Sequence, residues 1–556
     1  MRCRLLFAVL GSLIAWTALG TGVQAQARGG GSVRLNELQV IGTHNSYHRE
    51  ISEREQAAYD AAIAAAAPAA AQTTDPLPLG PENLPETRTS RSLAPGVVQT
   101  RIVRGTTDPR DGFTIDVAVT ATRAEANAIS ERLAGLGHDA RVEQIGPRAQ
   151  DDPQRGPLGF RVRLGDFATQ AQADELRARL IAEGFASPRT VHESDDGDST
   201  TGPWVVNVLE LAPGRAAPEL ATQVVPGREP LTALAARLAA PASVNGGYFV
   251  IGAANGTDGD LAGIYADRGR LVSEAVNGRT SLVLPPARPA RIAALSTTLQ
   301  LRAGGGRREL DGLNRAPGLI RGCGGSGGDL PTERPKHDFT CTDAGEVIRF
   351  DPVFGAASEP GPGYEAVLDA RDVVVAVRGA RGGPIPPSGA VLSAIGDGAD
   401  WLRAHARLGR RVRTRERVRE ERSGTLGPGR AGIVNGGPRL LRRGAIDVPA
   451  FAEGFHYPED PGFLYRFGLR RNPRTLAGVR GDGRLLLVTI DGRAPGYSVG
   501  ASFAESAAVL RALGARDGVN LDGGGSTAMT VGPALLTRPS DTTGERPIAD
   551  AIVVGR

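Results

Sequence analysis

The stretch Asn520-Leu521-Asp522-Gly523-Gly524-Gly525-Ser526-Thr527, NLDGGGST, decides how the C-terminal part of this chain is read. It ends a short apolar run that predicts a strand, so a strand hands an amide and a carboxylate to three glycines and two hydroxyls. Successive glycine amides can form a concave nest for an anion, here with Asp522 beside it. Two further corners echo the pattern: Asn245-Gly246-Gly247 in ASVNGGYF and Asn435-Gly436-Gly437 in IVNGGPRL. Each lets the backbone turn through positive φ and approach a ligand closely. A fourth segment, RNPRTLAGVRGDGRLLLVTIDGR, places Arg471, Arg474 and Thr475 before one strand and Asp491 after the next. Guanidinium groups recognise phosphate by paired hydrogen bonds, so the four segments together predict a phosphate-ester site flanked by carboxylates.

Around this site the chain from WVVNVLEL to Val554 is a succession of short strands and Gly/Pro/Asp turns. It has two predicted helices, near Leu231 and Ser502, the second with Ser502 and Glu505 at capping-box spacing. Upstream, FTIDVAV, TRAEANAISERLAGLG and DARVEQI read strand, helix, strand, and LGFRVRLGDF, ATQAQADELRARLIAEGF and SPRTVHE repeat that order. A βαβ-βαβ sequence predicts an antiparallel sheet backed by two helices. The expected fold class is therefore α/β of the α+β kind: a small ferredoxin-like domain and then a large mixed, strand-rich α+β domain.

Several function classes fall away. The 65 basic and 61 acidic residues leave a net charge of +4, too balanced to suggest a nucleic-acid surface. The densest basic run, from Arg407, is interleaved with Glu416, Glu420 and Glu421 and reads as a solvated surface. The glycine-rich segment lacks the Gly-Lys-Ser/Thr ending of a phosphate-binding loop, and Lys336 is the only lysine. Neither a Gly-x-Ser-x-Gly elbow nor a His-Glu-x-x-His helix occurs. His337, His405 and His456 lie outside all four segments and read as surface or structural residues.

Asn245-Gly-Gly-Tyr-Phe249, Arg471-Asn-Pro-Arg-Thr475, Asp491-Gly-Arg493 and Asn520-Leu-Asp-Gly-Gly-Gly-Ser526 occur in the order found in the phosphodiester glycosidase family, and the resemblance runs from about Gly202 to Arg556. It implies hydrolysis of a sugar-1-phosphodiester at the glycosidic side, releasing sugar and leaving a phosphomonoester. On that reading Arg474, helped by Arg546, neutralises the diester. The Gly523, Gly524 and Gly525 amides and Ser526 hold a phosphoryl oxygen. Asp522 and Asp491 supply the acid/base or nucleophile pair of glycoside cleavage, their roles left open because these depend on the carboxyl separation. Asn245, Gly246, Asn435, Thr475 and Asn520 complete the substrate-binding set. No cofactor is required by these residues; a divalent cation such as calcium, at Asp258, Asp260 or similar Asp-Gly turns, is left open, and metal ligands are not assigned.

The small domain, through FRVRLGDFATQAQADELRARLIAEGF, resembles the SPOR domain, which implies peptidoglycan glycan strands as a partner. LNELQVIGTHNSYHRE resembles the start of the calcium-dependent bacterial phosphatidylinositol phospholipases C, with His44 as acid/base and Asn45 as calcium ligand. That chemistry needs a second histidine carried by a barrel of some 250 residues. The chain continues instead with an Ala/Pro-rich stretch, so His44 reads as a remnant or a short surface motif. Arg2 and Arg4, the run LLFAVLGSLIAW and the small residues of VQAQA have the order of a secretory signal. No later stretch is long and apolar enough to span a bilayer. An exported protein suits a disulfide between Cys323 and Cys341.

The expected organisation is signal peptide 1–27, phospholipase-C-like fragment 28–56, linker 57–110, SPOR-like domain 111–192, hinge 193–202 and phosphodiester glycosidase domain 203–556. The expected function is a secreted or cell-envelope hydrolase of a sugar-1-phosphodiester in an envelope or exopolysaccharide glycan. The alternative is a non-catalytic peptidoglycan-binding envelope protein, and a phospholipase C ranks below both.

Overall fold

The computed structural model describes residues 75–196, 200–276, 278–321, 340–421, 424–425, 431–456 and 460–555. The signal segment, the phospholipase-like fragment, His337 and Cys323 lie outside them. Cys341 is buried and disulfide-bonded.

An antiparallel sheet of eight strands organises the large domain. Its order is Glu86–Ala94, Val97–Arg104, Trp204–Leu211, Leu485–Ile490, Arg474–Arg480, Ala515–Asn520, Arg439–Arg442 and Ala445–Ile446. Side chains alternate across it, as the period of two requires. Leu476, Leu486, Val488 and Val206 face the helix Phe503–Ala512 and the segment around Phe455 and Phe467. Ala477, Leu487, Val519 and Leu209 face Val244, Leu282, Met529 and Ile552 on the other side. The result is a three-layer stack with apolar seams on both faces of the sheet. The helix carries the expected capping box, Ser502 Oγ accepting from the Glu505 amide and the Glu505 carboxylate accepting from the Ser502 amide.

The layer behind the sheet consists of a five-stranded sheet, in the order Ala534–Leu535, Met529–Val531, Ala242–Asn245, Asp550–Val554 and Ala216–Leu220, and a second sheet that includes Gly432–Asn435 and Arg279–Leu284. Strands Ala242–Asn245, Gly432–Asn435 and Ala515–Asn520 each end in one of the asparagines singled out above. The basic run forms the strand Arg413–Glu420, largely exposed as expected.

The small domain has the predicted order. Strands Phe113–Thr120, Ala140–Ile145, Gly159–Phe167 and Arg189–His192 make a four-stranded antiparallel sheet, backed by helices Arg123–Gly135 and Gln170–Ala182. Both helices start at a threonine capping box, Thr122 with Glu125 and Thr169 with Gln172.

Two expectations about the connections are corrected. Residues 86–104, assigned to the linker 57–110, are two strands of the large sheet: Val97–Arg104 pairs along its length with Trp204–Leu211, from Val97 opposite Leu211 to Arg104 opposite Trp204. Their alternation was hidden because the outer hairpin strand, ETRTSRSLA, buries little. Arg104 is fully buried and donates to the carbonyls of Leu79, Pro81, Glu82 and Leu84, which folds residues 75–85 across Trp204. The small domain is thus inserted between two adjacent strands of the large sheet. The described start of the expected acidic hinge 193–202, residues 193–196, is likewise anchored. Asp195 and Asp196 are drawn into ion pairs, Asp195 with Arg470 and Asp196 with Arg161 and Arg163.

The hairpin 86–104 is therefore expected to contribute to the stability of the large domain. A chain beginning at residue 111 exposes the edge of Trp204–Leu211 and should melt about 10 °C lower than the full chain or more. Thermal unfolding followed by circular dichroism checks it.

Candidate active site

The buried carboxamide of Asn245 joins three segments. Its Nδ2 donates to the Asp522 carbonyl at 2.7 Å, and its Oδ1 accepts from Thr475 Oγ1 at 2.7 Å and from the Ala528 amide at 3.0 Å. Asn435 holds the same corner from the other side, its Oδ1 accepting from the Tyr248 amide at 2.8 Å. The Tyr248 hydroxyl donates to the Gly437 carbonyl and accepts from Asn520 Nδ2, each at 2.7 Å. Asn245, Asn435 and Asn520 were expected to reach substrate or carboxylates; all three are chiefly braces for the loops. Asn520 Oδ1 nevertheless remains buried without a partner.

What the brace positions is a pair of carboxylates, Asp522 and Asp550. The Asp522 amide donates to the Gly246 carbonyl at 3.2 Å, the Gly246 amide to the Asp550 carbonyl at 2.9 Å and the Gly247 amide to Asp550 Oδ1 at 2.9 Å. Gly246 has to be glycine, because a Cβ there would overlap the Asp550 carboxyl. Burial pushes the Asp550 carboxyl up to about 7; the Gly247 amide works against that shift and the nearby Asp522 charge adds to it. Asp550 Oδ2 is buried and bonded to nothing. Sequence reasoning stopped at Arg546 and missed Asp550. The signal available was an aspartate opening the last strand, ADAIVV, which no motif spacing marked out.

The three glycines serve three separate purposes. The Gly523 amide donates to Asp522 Oδ1 at 2.9 Å, which fixes that carboxylate. Gly524 adopts φ +59 and its amide donates to the Pro473 carbonyl at 2.9 Å. Gly525 lies against the Asp541–Arg546 ion pair, which a Cβ would displace. Two of the three amides expected to hold a phosphoryl oxygen are therefore engaged within the turn. Arg546 is in place, pairing with Asp541 at 2.7 Å and reaching Ser526 Oγ at 3.4 Å. Arg493 is buried close to this group, bonded to Asn472 Oδ1 at 2.8 Å; burial depresses its guanidinium to about 10, and Asp541 offsets part of the shift.

Arg474 is not where the diester reading put it. Strand alternation sets it on the face of Leu476, towards the helix, while Thr475 faces Asn245. Its guanidinium is buried over the rings of Phe503 and Phe467 and donates to the carbonyls of Ala501, Phe467 and Arg470. Burial lowers it to about 9. Asp491 directly follows the strand next to that of Arg474, and Pro473 separates its loop from the glycine turn. Asp491 Oδ2 accepts from the Tyr497 hydroxyl and the Arg538 amide, each at 3.2 Å, whereas Oδ1 is buried without a partner. Burial also raises this carboxyl to about 7. Thr527 Oγ1 and Ser540 Oγ are further buried polar atoms without partners. Buried polar atoms are nearly always satisfied, so such atoms around the glycine turn are what a polar ligand can complete.

Comparison with known proteins fits this arrangement. Residues 362–555 match the model of the phosphodiester glycosidase family, and residues 109–188 that of the SPOR domain. The C-terminal part of the chain, residues 362–555, carries a phosphodiester glycosidase domain. Among solved structures it resembles a putative exported protein of Burkholderia pseudomallei K96243, with 34% identity over 88% of this chain and 100% of that one and a TM-score of 0.78. A hypothetical protein from Synechocystis shares the fold at 18% identity, with a TM-score of 0.50, over 89% of this chain and 84% of its own. No curated protein matches the chain.

The phosphodiester glycosidase match begins at residue 362, yet Asn245, Gly246 and Gly247 complete the same site from outside it. Among the described residues no group of three or more His, Cys, Asp or Glu side chains is arranged to hold a metal ion. Asp258 is taken up by Arg228 and the Gly252 amide, and Asp260 by the Leu261 amide. Among the described residues no helix is long and apolar enough to cross a membrane.

A carboxyl whose folded-state value lies above its unfolded one binds a proton in the native state that the unfolded chain has lost, so stability falls as pH rises between the two values. For Asp550 that window runs from the ordinary value of 3.8 to about 7. Asp550→Asn should therefore raise the melting temperature at pH 8 and leave it nearly unchanged at pH 4, the gain being bounded by a shift on the order of 4 kcal/mol. Melting curves of the variant and the parent at the two pH values provide the check.

Proposed function

We propose that this chain is an exported, envelope-associated hydrolase that cleaves a sugar-1-phosphodiester on the glycosidic side, with the SPOR domain placing it on peptidoglycan glycan strands. The observation that carries the reading is the Asp522–Asp550 pair: two buried carboxyls at one Asn-Gly-Gly corner, one of them kept protonated up to about pH 7. A carboxyl that keeps its proton near neutrality is suited to the role of general acid.

In the proposed reaction the phosphoryl group lies over the glycine turn, beside Ser526 Oγ and the Arg546 guanidinium. Asp550 delivers its proton from Oδ2 to a phosphoryl oxygen as the bond between the anomeric carbon and the bridging oxygen breaks. Asp522 acts on the opposite partner, either taking the proton of an attacking water or bonding the anomeric carbon itself. Water supplies the hydroxyl of the released sugar, and the phosphate leaves as a monoester. Asp491, also protonated near neutrality, stands at the far side of Pro473 with Tyr497 and Arg538, where it can bind sugar hydroxyls. Arg474 holds the strand and the aromatic layer beneath the site. The substrate class proposed is an envelope or exopolysaccharide glycan, as suits a hydrolase tied to a wall-binding domain.

Turnover of an aryl or nucleotide sugar-1-phosphodiester by the purified mature protein, with and without EDTA, tests the reading. The rate should fall as pH rises through about 7, where Asp550 loses its proton. Asp522→Asn and Asp550→Asn should each lower kcat by about 10²–10⁴-fold while remaining folded. A wild type inert on all such diesters would favour the non-catalytic envelope protein.

A further inference from the structure

The strand Arg413–Glu420 pairs along its whole length with Arg291–Ala303, from Arg413 opposite Arg302 to Glu420 opposite Leu295. Its arginines and glutamates look interleaved in the sequence, but the strand period of two separates them. Thr414, Glu416, Val418 and Glu420 lie opposite Leu301, Leu299, Thr297 and Leu295, on the face that closes over an apolar core. Glu420 pairs there with Arg291. Arg413, Arg415, Arg417 and Arg419 take the other face, opposite Arg302, Gln300, Thr298 and Ser296, and all four are exposed.

A third strand, Gly306–Glu309, widens this outer face by setting Arg307 opposite Arg302 and Glu309 opposite Gln300. Guanidinium groups therefore run in two directions. Four follow one strand at intervals of about 6.8 Å, over a length of about 20 Å. Arg413, Arg302 and Arg307 stand side by side across three strands. Glu309 is the only carboxylate among these positions. Among the described residues none of the six arginines has an ion-pair partner. Like charges directly opposite one another on paired strands are destabilising, so the array costs stability that nothing in the described fold returns.

Phosphate oxygens are what unpaired arginines bind best. An array spread in two directions over an open sheet face matches a plane of headgroups, whereas a single polyanionic chain needs only one row. No aromatic side chain lies among these positions, so the face lacks the stacking platform of a single-stranded nucleic-acid site. In the turn just before Arg413, Leu408 is 61% exposed, and the turn is pinned by the Gly409 amide donating to the Val374 carbonyl at 2.9 Å. An exposed apolar side chain next to clustered cations is the combination that interfacial membrane binding uses.

We propose that this arginine face docks the protein on an anionic lipid bilayer, through the headgroup phosphates. Docking of this kind needs neither the Asp522–Asp550 corner nor its chemistry.

Sedimentation of the mature full chain with phosphatidylcholine vesicles, with and without about 30% phosphatidylglycerol, tests the proposal. The chain should bind only the anionic vesicles, and about 500 mM salt should release it. Each arginine near an anionic surface contributes about 5-fold, so the triple variant Arg413→Gln, Arg415→Gln, Arg417→Gln should bind at least about 20-fold more weakly. It should melt no lower than the parent, because repulsion has been removed. If it melts lower, the single Arg415→Gln, opposite neutral Gln300, carries the same test at about 5-fold. Neutralising Arg110, Arg141 and Arg268 instead removes the same charge from other exposed sites and should weaken binding by less than about 3-fold. Leu408→Ser should weaken vesicle binding and leave retention on immobilised polyphosphate unchanged. Absence of binding to anionic vesicles, equal losses in the two triple variants, or retention on polyphosphate without vesicle binding would overturn the proposal.

Discussion

One buried carboxamide, that of Asn245, ties together parts of the chain about 280 residues apart. It is bonded at once to the strand carrying Thr475, the turn carrying Asp522 and the backbone of Ala528. In a low-dielectric interior such a node is stabilising only when its partners are all present, and costly when one is missing. Because Gly246 is the next residue and bonds both Asp522 and Asp550 through the backbone, the position of Asn245 fixes the spacing of the two carboxylates. Asn435, Tyr248 and Asn520 close the same corner from the neighbouring strands. The site is thus built on strand ends of three sheets rather than on a loop, which suits a reaction that depends on placement.

The second constraint is the insertion of the SPOR domain. Both of its ends continue into paired neighbouring strands, and its sheet meets the glycosidase domain through charges removed from water: Arg163 bonds Asp116 at 2.8 Å and Asp196 at 2.6 Å, and the Tyr465 hydroxyl bonds Asp196 at 2.7 Å. Nearby, the Asp151 carboxylate accepts from the Phe451 and Ala452 amides. Buried ion pairs add little net stability but penalise any arrangement that leaves a partner alone. A SPOR domain joined in this way is held in one orientation relative to the Asp522–Asp550 corner, rather than swinging on a linker.

Much of this was legible in the sequence where local rules apply. The βαβ-βαβ order, the capped helix after Ser502 and the strand-to-asparagine corners arise from periodicity and turn chemistry. Asp522, Ser526, Arg546 and the Asn-Gly-Gly corners do come together. What failed depended on which face a side chain takes or on pairing across long separations. Arg474 looked like a phosphate ligand by residue type, but its register with Leu476 turns it into the aromatic layer. The glycine amides looked open, but Pro473, supplied by another strand, uses one of them. The strands 86–104 looked like linker because their partner, Trp204–Leu211, lies about a hundred residues away. Asp550 carried no motif, and its role emerges only when the last strand pairs beside Ala242–Asn245.

The central claim is that Asp522 and Asp550, not Arg474, face the scissile bond. A crystal structure of the protein with a non-hydrolysable phosphonate analogue of a sugar-1-phosphodiester tests it most directly. The prediction is an anomeric carbon between the two carboxyls, with the phosphonate over the glycine turn beside Arg546 and Ser526. An analogue bound to the Arg474 guanidinium, or one leaving Asp550 Oδ2 without a partner, would contradict it.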